Sequence, residues 1–428
     1  MLFAARASTA FLATLLVAAA GTIFPYLLPA YPGGGNGISI YSAAPSLTGL
    51  ITAFAFTVAG LIALIVYSSL ASRGLAGKTT LAPAAFFFTA VFQTIHAHAT
   101  TQPEVWLGPA SRFSTPSSPR PRAVDLMEMF KPNAPWQNAA SHVQVFRFSS
   151  LFFHRVGEDS NQDEVNAAVS DLKRRHIAIA VEIGVIDIIP GSCPDKIQEG
   201  YGTLPQARKV IDMIKAAGGE IKYLNMDELL NYGHFFEHSS SKTGCQLSIS
   251  EIVSRSAAIL NLFKQEFPNI VIGETEPTAM MREQGDDHIA EVSDWKPAML
   301  EYYTRFRDAL GKPLDFLILD PQWEFKRGSV ADDVHTVYDY AEELKRRGLI
   351  QRIGIMYNGG TFDTTDAAWV QAARDHMAIV EQTYRPRPDI IAFLSWQENP
   401  THAMPDDASQ NTLTGLVTYY FQHYGGGP

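Results

Sequence analysis

Hydrophobic and polar positions divide the chain near residue 100. Before it, no charge interrupts the stretch between Arg6 and Arg73, and two apolar runs fill that window, 8–28 and 47–70. Each reaches the roughly 20 residues that cross a bilayer core. Pro29-Ala30-Tyr31-Pro32-Gly33-Gly34-Gly35-Asn36-Gly37 separates them, and this Pro/Gly density makes a loop. The pattern predicts a transmembrane helical hairpin with the lipid bilayer as its partner through residues 8–70. Arg6 ahead of the first helix and Arg73 and Lys78 behind the second put both ends in the cytoplasm. A second apolar core follows at 81–92 and ends in the small-residue motif Ala97-His98-Ala99, which reads as a secretory signal or a third short membrane helix. The expected location is the inner membrane, with the rest of the chain on the periplasmic or extracellular side, or secreted if cleaved after Ala99.

From residue 104 the period changes. Short β-branched runs at 104–109, 143–150, 177–184, 220–228, 270–278, 315–325, 353–360 and 390–400 alternate with amphipathic helical stretches, the mark of repeated βα units. Val330, Val334, Val337, Ala341 and Leu344 recur at three- and four-residue steps, one face of a helix. Gly218-Gly219 and Gly348 stop helices, and Pro386 and Pro388 precede the last strand. Eight units close a ring, so the expected architecture is α/β: a (β/α)₈ TIM barrel over 104–428, a two-helix transmembrane segment over 1–78, and a signal-like segment and linker over 79–103.

Composition sharpens this division. The chain as a whole is 46% apolar and 18% charged, but Arg6, Arg73 and Lys78 are the only full charges before residue 100. The other 31 of 34 cations therefore face all 44 anions in the second part. Nucleic-acid phosphates need clustered cations, so such a partner is excluded, and neutral or cationic ligands are favoured. Cys193 and Cys245 form no CxxC or Cys/His pattern, and no metal site is expected. They follow adjacent predicted strands, and export permits them to pair as a disulfide. No G-x-G-x-x-G loop, G-x-x-x-x-G-K-S/T loop or G-x-S-x-G elbow is present, and no cofactor is expected.

Barrel chemistry sits at the C-terminal ends of the strands. Those ends are acidic and aromatic here: Glu182 on the third, Asp227 and Glu228 on the fourth, Glu274 and Glu276 on the fifth, Asp320, Trp323 and Glu324 on the sixth, Tyr357 and Asn358 on the seventh, Trp396 and Glu398 on the eighth. Paired acids suit a glycosidic bond and flat rings suit sugar faces, so the expected partner is a carbohydrate. Glu228 is the first candidate for the essential acid and Asp227 the second, with Asp320, Glu324 or Glu276 as its partner. Trp323, Trp396, Glu398, Glu274, Glu182, Tyr357 and Asn358 are the candidate substrate contacts.

Two family resemblances add to this reading. Phe24-Pro25-Tyr26-Leu27, Ile38-Ser39-Ile40-Tyr41-Ser42-Ala43-Ala44-Pro45-Ser46 and Arg73-Gly74-Leu75-Ala76-Gly77-Lys78 resemble the C-terminal end of cytochrome bd ubiquinol oxidase subunit II. A fragment this short implies membrane insertion and not quinol oxidation. Residues 104–424 resemble glycoside-hydrolase-like barrels, with Lys222-Tyr223-Leu224-Asn225-Met226-Asp227-Glu228 as the local cue. In such families the fourth strand delivers a catalytic carboxylate: Asp227 falls where α-galactosidase-like families place theirs, and Glu228 where the large retaining clan places an acid after Asn. The sequence departs from that clan at Met356-Tyr357-Asn358-Gly359-Gly360, which offers no Glu as nucleophile. The partner acid then comes from another strand, or hydrolysis has been lost.

Three functions follow: an extracytoplasmic glycoside hydrolase, a non-catalytic carbohydrate-binding barrel, and a membrane fragment of the oxidase subunit. Because the acidic part contains eight complete units, residues 100–428 expressed alone are expected to be soluble and to melt cooperatively. An insoluble product, set against a cooperative melt of the full chain in detergent, would refute the two-part division.

Overall fold

The computed structural model describes residues 102–111, 123–153, 162–193, 199–235, 245–278, 295–321, 323–325, 328–329, 331–360 and 363–425. All belong to one compact unit, Phe92–Gly427. The apolar spans at 8–28 and 47–70 and the Ala97-His98-Ala99 motif lie outside the described residues. Among the described residues no helix is long and apolar enough to cross a membrane.

Eight parallel strands form a closed barrel: β1 Glu104–Gly108, β2 Val145–Ser149, β3 Ala178–Ile183, β4 Ile221–Asp227, β5 Val271–Pro277, β6 Phe316–Asp320, β7 Ile353–Met356 and β8 Ile390–Leu394. They pair in chain order, and β1 closes the ring by pairing along its whole length with β8, from Glu104 opposite Ile390 to Gly108 opposite Leu394. Both faces of each strand are covered, so the strands read as nearly unbroken apolar runs. One helix follows each strand: α1 Gln137–Ala140, α2 Gln162–Arg175, α3 Leu204–Ala216, α4 Ile249–Glu266, α5 Trp295–Leu310, α6 Ala331–Arg346, α7 Asp366–Thr383 and α8 Leu413–His423. The first is reduced to one turn preceded by the 3-10 turn Leu126–Phe130. Capping boxes start α3 (Thr203 with Gln206) and α4 (Ser248 with Glu251), satisfying amide donors that a helix start leaves unpaired. Gly218 and Gly348, at φ +71° and +70°, take the left-handed conformation that ends α3 and α6.

Three strands stop earlier than their apolar patterns suggest. Pro321 has no amide hydrogen for a ladder and ends β6 at Asp320, so Trp323 and Glu324 lie beyond the strand, and Glu324–Phe325 forms its own ribbon with Gly328–Ser329. The β7 and β8 strands end at Met356 and Leu394. Asn358, Trp396 and Glu398 accordingly sit on the loops that leave the rim.

Alternation along the strands sorts side chains between two cores. Outward residues pack under the helices. Inward residues Trp106, Val145, Ala180, Tyr223, Phe316, Ile318, Met356, Ile390, Ala392 and Leu394 fill the barrel. Trp106 meets the edges of Tyr223 and Phe316 at 5.1 Å each, a plug near the N-terminal end. The plug is tied by Trp106 Nε1 and the Tyr223 hydroxyl, which both donate to the Glu104 carboxylate at 2.7 and 2.9 Å. Above it the inward face turns polar and becomes the floor of the site.

Cys193 and Cys245 are bonded, with Cα atoms 5.5 Å apart, and tie the β3–α3 loop to the β4–α4 loop. Gly273 marks a tight strand contact near the floor, where a Cβ would fall 2.3 Å from the Phe316 carbonyl oxygen. Gly273→Ala must push β5 from β6, and a loss of about 1–3 kcal/mol in chemical denaturation is expected. Unchanged stability would show that this contact relaxes freely.

Candidate active site

Above the aromatic plug, the inward positions at the C-terminal ends of the strands carry Arg147, Glu182, Asn225, Asp227, Thr275 and Asp320. Arg147 and Glu182 form an ion pair buried on both sides. Asn225 Nδ2 donates to Glu182 at 3.1 Å and to the Thr275 hydroxyl at 2.9 Å, which fixes the pair's far side. Breaking such a pair by removing one partner costs about 3–5 kcal/mol, because the survivor is left charged without water. Beside it, Asn358 Nδ2 donates to Asp320 at 3.3 Å, while the Asn358 carbonyl oxygen meets His376 Nδ1 at 2.7 Å. His376 stacks on Trp323 with centroids 4.4 Å apart, and burial pushes its imidazole down to about 4, so it is neutral near pH 7. Asn358 Oδ1 has no hydrogen-bond partner among the described residues.

The rim adds charge to this floor. Asp227 ends β4, and the next residue, Glu228, has φ +52°, a left-handed conformation that costs a non-glycine residue about 1–2 kcal/mol. The turn is held by the Glu228 amide, which donates to the Thr275 carbonyl at 2.9 Å, and by the Glu228 carbonyl, which accepts from the Tyr232 amide at 3.0 Å. It ends the strict alternation that would send Asp227 and Glu228 to opposite faces. Burial, then the charges of Glu199, Asp320, Asp227 and Glu276, raise Glu228 well above the ordinary carboxylate range. Burial likewise pushes Asp320 up to about 7, against the pull of Arg147 and with a further push from Glu199 and Asp227. Four carboxyl groups, Glu199, Asp227, Glu228 and Asp320, therefore interact across one mouth.

Several predicted site residues are placed elsewhere. Glu274 and Glu276 lie on the outward face of β5. Glu274 accepts from the Tyr302 hydroxyl of α5 at 2.6 Å, and burial pushes it up to about 7. Glu276 accepts from the amides of Leu230 and Asn231 at 2.6 and 3.1 Å, where it caps the turn after β4. Tyr357 also points outward, donating to Glu381 of α7 at 2.9 Å. One-residue alternation decides all three, and none faces the mouth. Trp323 is buried against His376 and forms wall, not platform. Trp396 is half-buried and rests on the inner cluster, Glu182 is held by Arg147, and Glu398 is exposed beyond β8. For Glu324 only the backbone, in the ribbon past β6, is described. Among the described residues no group of His, Cys, Asp and Glu is arranged to hold a metal ion.

Three contributors escape a census of strand ends. Glu199 lies in the β3–α3 loop, signalled only by the glycines around it in Glu199-Gly200-Tyr201-Gly202. Tyr232 follows the β4 turn. Arg147 was visible as a lone charge inside the apolar run Val145-Phe146-Arg147-Phe148, an arrangement that demands a buried partner.

No family model and no curated protein matches the chain, so the likeness of residues 1–78 to the oxidase subunit finds no support. Solved structures similar to it include a GH5_18 protein from Streptomyces cattleya in complex with Manβ1-4GlcNAc, at 9% identity and TM-score 0.44 over 76% of this chain and 82% of that one. Xylanase 10C from Cellvibrio japonicus in complex with xylopentaose matches at 8% identity and TM-score 0.40, over 75% and 67%. A 3-keto-D-glucoside 4-epimerase from E. coli matches at 12% identity and TM-score 0.35, over 74% and 100%. The chain is a (β/α)₈ barrel whose solved neighbours include glycoside hydrolases. What it does rests on its own site.

The raised carboxyls have a consequence for stability. Folded Asp320 keeps a proton up to about pH 7 that the unfolded chain releases near its ordinary 3.8, so stability is greatest at low pH and falls as pH rises through that window. Asp320→Asn removes this dependence. It is expected to melt higher than wild type at pH 8, by the equivalent of on the order of a few kcal/mol, and to differ little at pH 4. Parallel melting curves from pH 4 to 8 would rule out a proton held at Asp320.

Proposed function

We propose that the barrel is a glycoside hydrolase that cleaves its bond with paired carboxylates, Glu228 as general acid and Asp320 as its partner, with Asp227 beside them. The observation that carries this reading is the convergence of four mutually repelling carboxyl groups at the C-terminal mouth of the barrel, above a floor where the Arg147–Glu182 pair balances its own charge. Such a cluster opposes folding, and acid–base chemistry is what it suits. Because the charges are coupled, the site holds protons jointly, and a proton on Glu228 eases ionisation of Asp320. That is the division a glycosidase requires: one carboxylic acid to protonate the leaving oxygen, one carboxylate to attack carbon or activate water.

The other residues fit as supports. Arg147 and Asn358 hold Asp320, Glu276 fixes the turn that presents Glu228, and Trp396 offers a ring face to a sugar. The disulfide suits an oxidising compartment, which supports an extracytoplasmic location for the barrel.

The test is a screen of chromogenic glycosides and reducing-end release on the full chain, followed by variants on the best substrate. Glu228→Gln is expected to lower turnover about a hundred- to ten-thousand-fold with little change in melting temperature. Activity should fall as pH drops below about 7, where Asp320 takes a proton, and again at high pH as Glu228 loses its own. Full activity in Glu228→Gln would end the assignment. Oligosaccharide binding without cleavage would instead indicate a carbohydrate-binding barrel.

A further inference from the structure

We propose that Glu199 is a positioning residue for this reaction: brought in by the β3–α3 loop, its carboxylate sets a fixed negative charge beside Glu228 and so governs the proton that Glu228 carries. The inference rests on the glycosidase reading and extends it to a residue that no strand end supplies.

Placement comes first. Gly200, at φ +81°, lies against the end of β4: a Cβ there would come within 3.2 Å of Tyr232 Cβ and 3.4 and 3.6 Å of the carbonyl oxygens of Glu228 and Asp227. Glu199 is the preceding residue. Its carboxylate accepts a hydrogen bond from the Tyr232 hydroxyl, and among charges it acts most strongly on Glu228.

Three independent clamps hold the loop that carries it. Ile186–Asp187 pairs in parallel with Tyr201–Gly202, so closely that a Cβ on Gly202 would fall 2.1 Å from the Gly184 carbonyl oxygen. Cys193 is bonded to Cys245 in the neighbouring loop. Arg255 of α4 donates to the carbonyl oxygens of Asp187 at 2.8 Å and of Cys193 at 3.2 Å. A surface crossover needs none of this unless what it carries must stay in place.

The chemistry supplies the reason. A carboxylic acid that donates a proton near neutral pH needs burial and a nearby like charge. The titratable groups that act on or lie beside Glu228 are Asp227 at the end of its own strand, Asp320 from β6, Tyr232 from the following turn, Glu199, and, from the outward face of β5, Glu276. Glu276 is neutralised in part by two backbone amides and Asp320 by Arg147 and Asn358. Of these carboxylates, Glu199 is the one whose position depends on the clamped crossover loop and not on the barrel itself.

Glu199→Gln preserves shape and an acceptor for Tyr232 while removing the charge. In the full chain, the alkaline limb of kcat/KM is expected to move to lower pH by on the order of one unit, with little change in melting temperature. The carbon-13 carboxyl titration of Glu228, assigned by its loss in Glu228→Gln, should move equally. Reducing the disulfide should shift that titration the same way in wild type and add nothing in Glu199→Gln. Should Glu199→Gln fail to fold, Tyr232→Phe is expected to give the same shift at smaller size. An unmoved Glu228 titration in a folded variant, whatever happens to the melting temperature, overturns the proposal. Because the titration needs no substrate, a chain that cleaves no glycoside defeats the glycosidase reading while the role of Glu199 is still decided.

Discussion

A parallel strand cannot turn back to its neighbour directly; each chain end must leave the sheet, cross a helix and return to the opposite rim. With eight such strands closed by β1 on β8, every C-terminal end arrives at one ring. The lower barrel is then free to be solid. Trp106, Tyr223 and Phe316 plug it, and Glu104 gathers the polar ends of Trp106 and Tyr223. On that solid base the Arg147–Glu182 pair sits dry, and from it the polar floor extends through Asn225 to Thr275. The site exists because closure puts these groups side by side, although they are far apart in the chain.

The same pleat gives the acids of one strand different work. On β5, Glu274 and Glu276 face the helices, one met by Tyr302 and the other capping the turn after β4. On α7, Glu381 collects the hydroxyls of Tyr357 and Tyr420 behind the barrel wall. Each of these carboxylates meets hydroxyl or amide donors of neighbouring elements. Those at the mouth also lie among one another's charges, which add to burial in raising Glu228 and Asp320. Their arrangement, together with the left-handed backbone at Glu228, works against stability, which is where a functional site is expected to stand.

Much of the barrel was legible along the chain. A strand buried on both faces needs an apolar run, and a helix between sheet and water needs a stripe at three- and four-residue steps, so all eight strands and the stripe Val334, Val337, Ala341 and Leu344 could be read directly. Glycine stops at Gly218 and Gly348 were equally plain, since φ near +70° costs glycine little. The pairing of Cys193 with Cys245 followed from their places after adjacent strands.

What the order of residues could not decide was which side each acid faces and which loop folds over the rim. Asp227 and Glu228 differ by one position, as do Tyr357 and Asn358, and one step on a strand exchanges pocket for helix layer unless the backbone breaks step. That break, at Glu228, is held by a hydrogen bond to Thr275 from another strand. Glu199 sits in a crossover loop tied down by a disulfide, a parallel ribbon and hydrogen bonds from Arg255, contacts between elements that no local pattern announces. Local periodicity determined the barrel because each element answers to its own burial. The site answers to contacts between elements, and only the closed tertiary structure makes them.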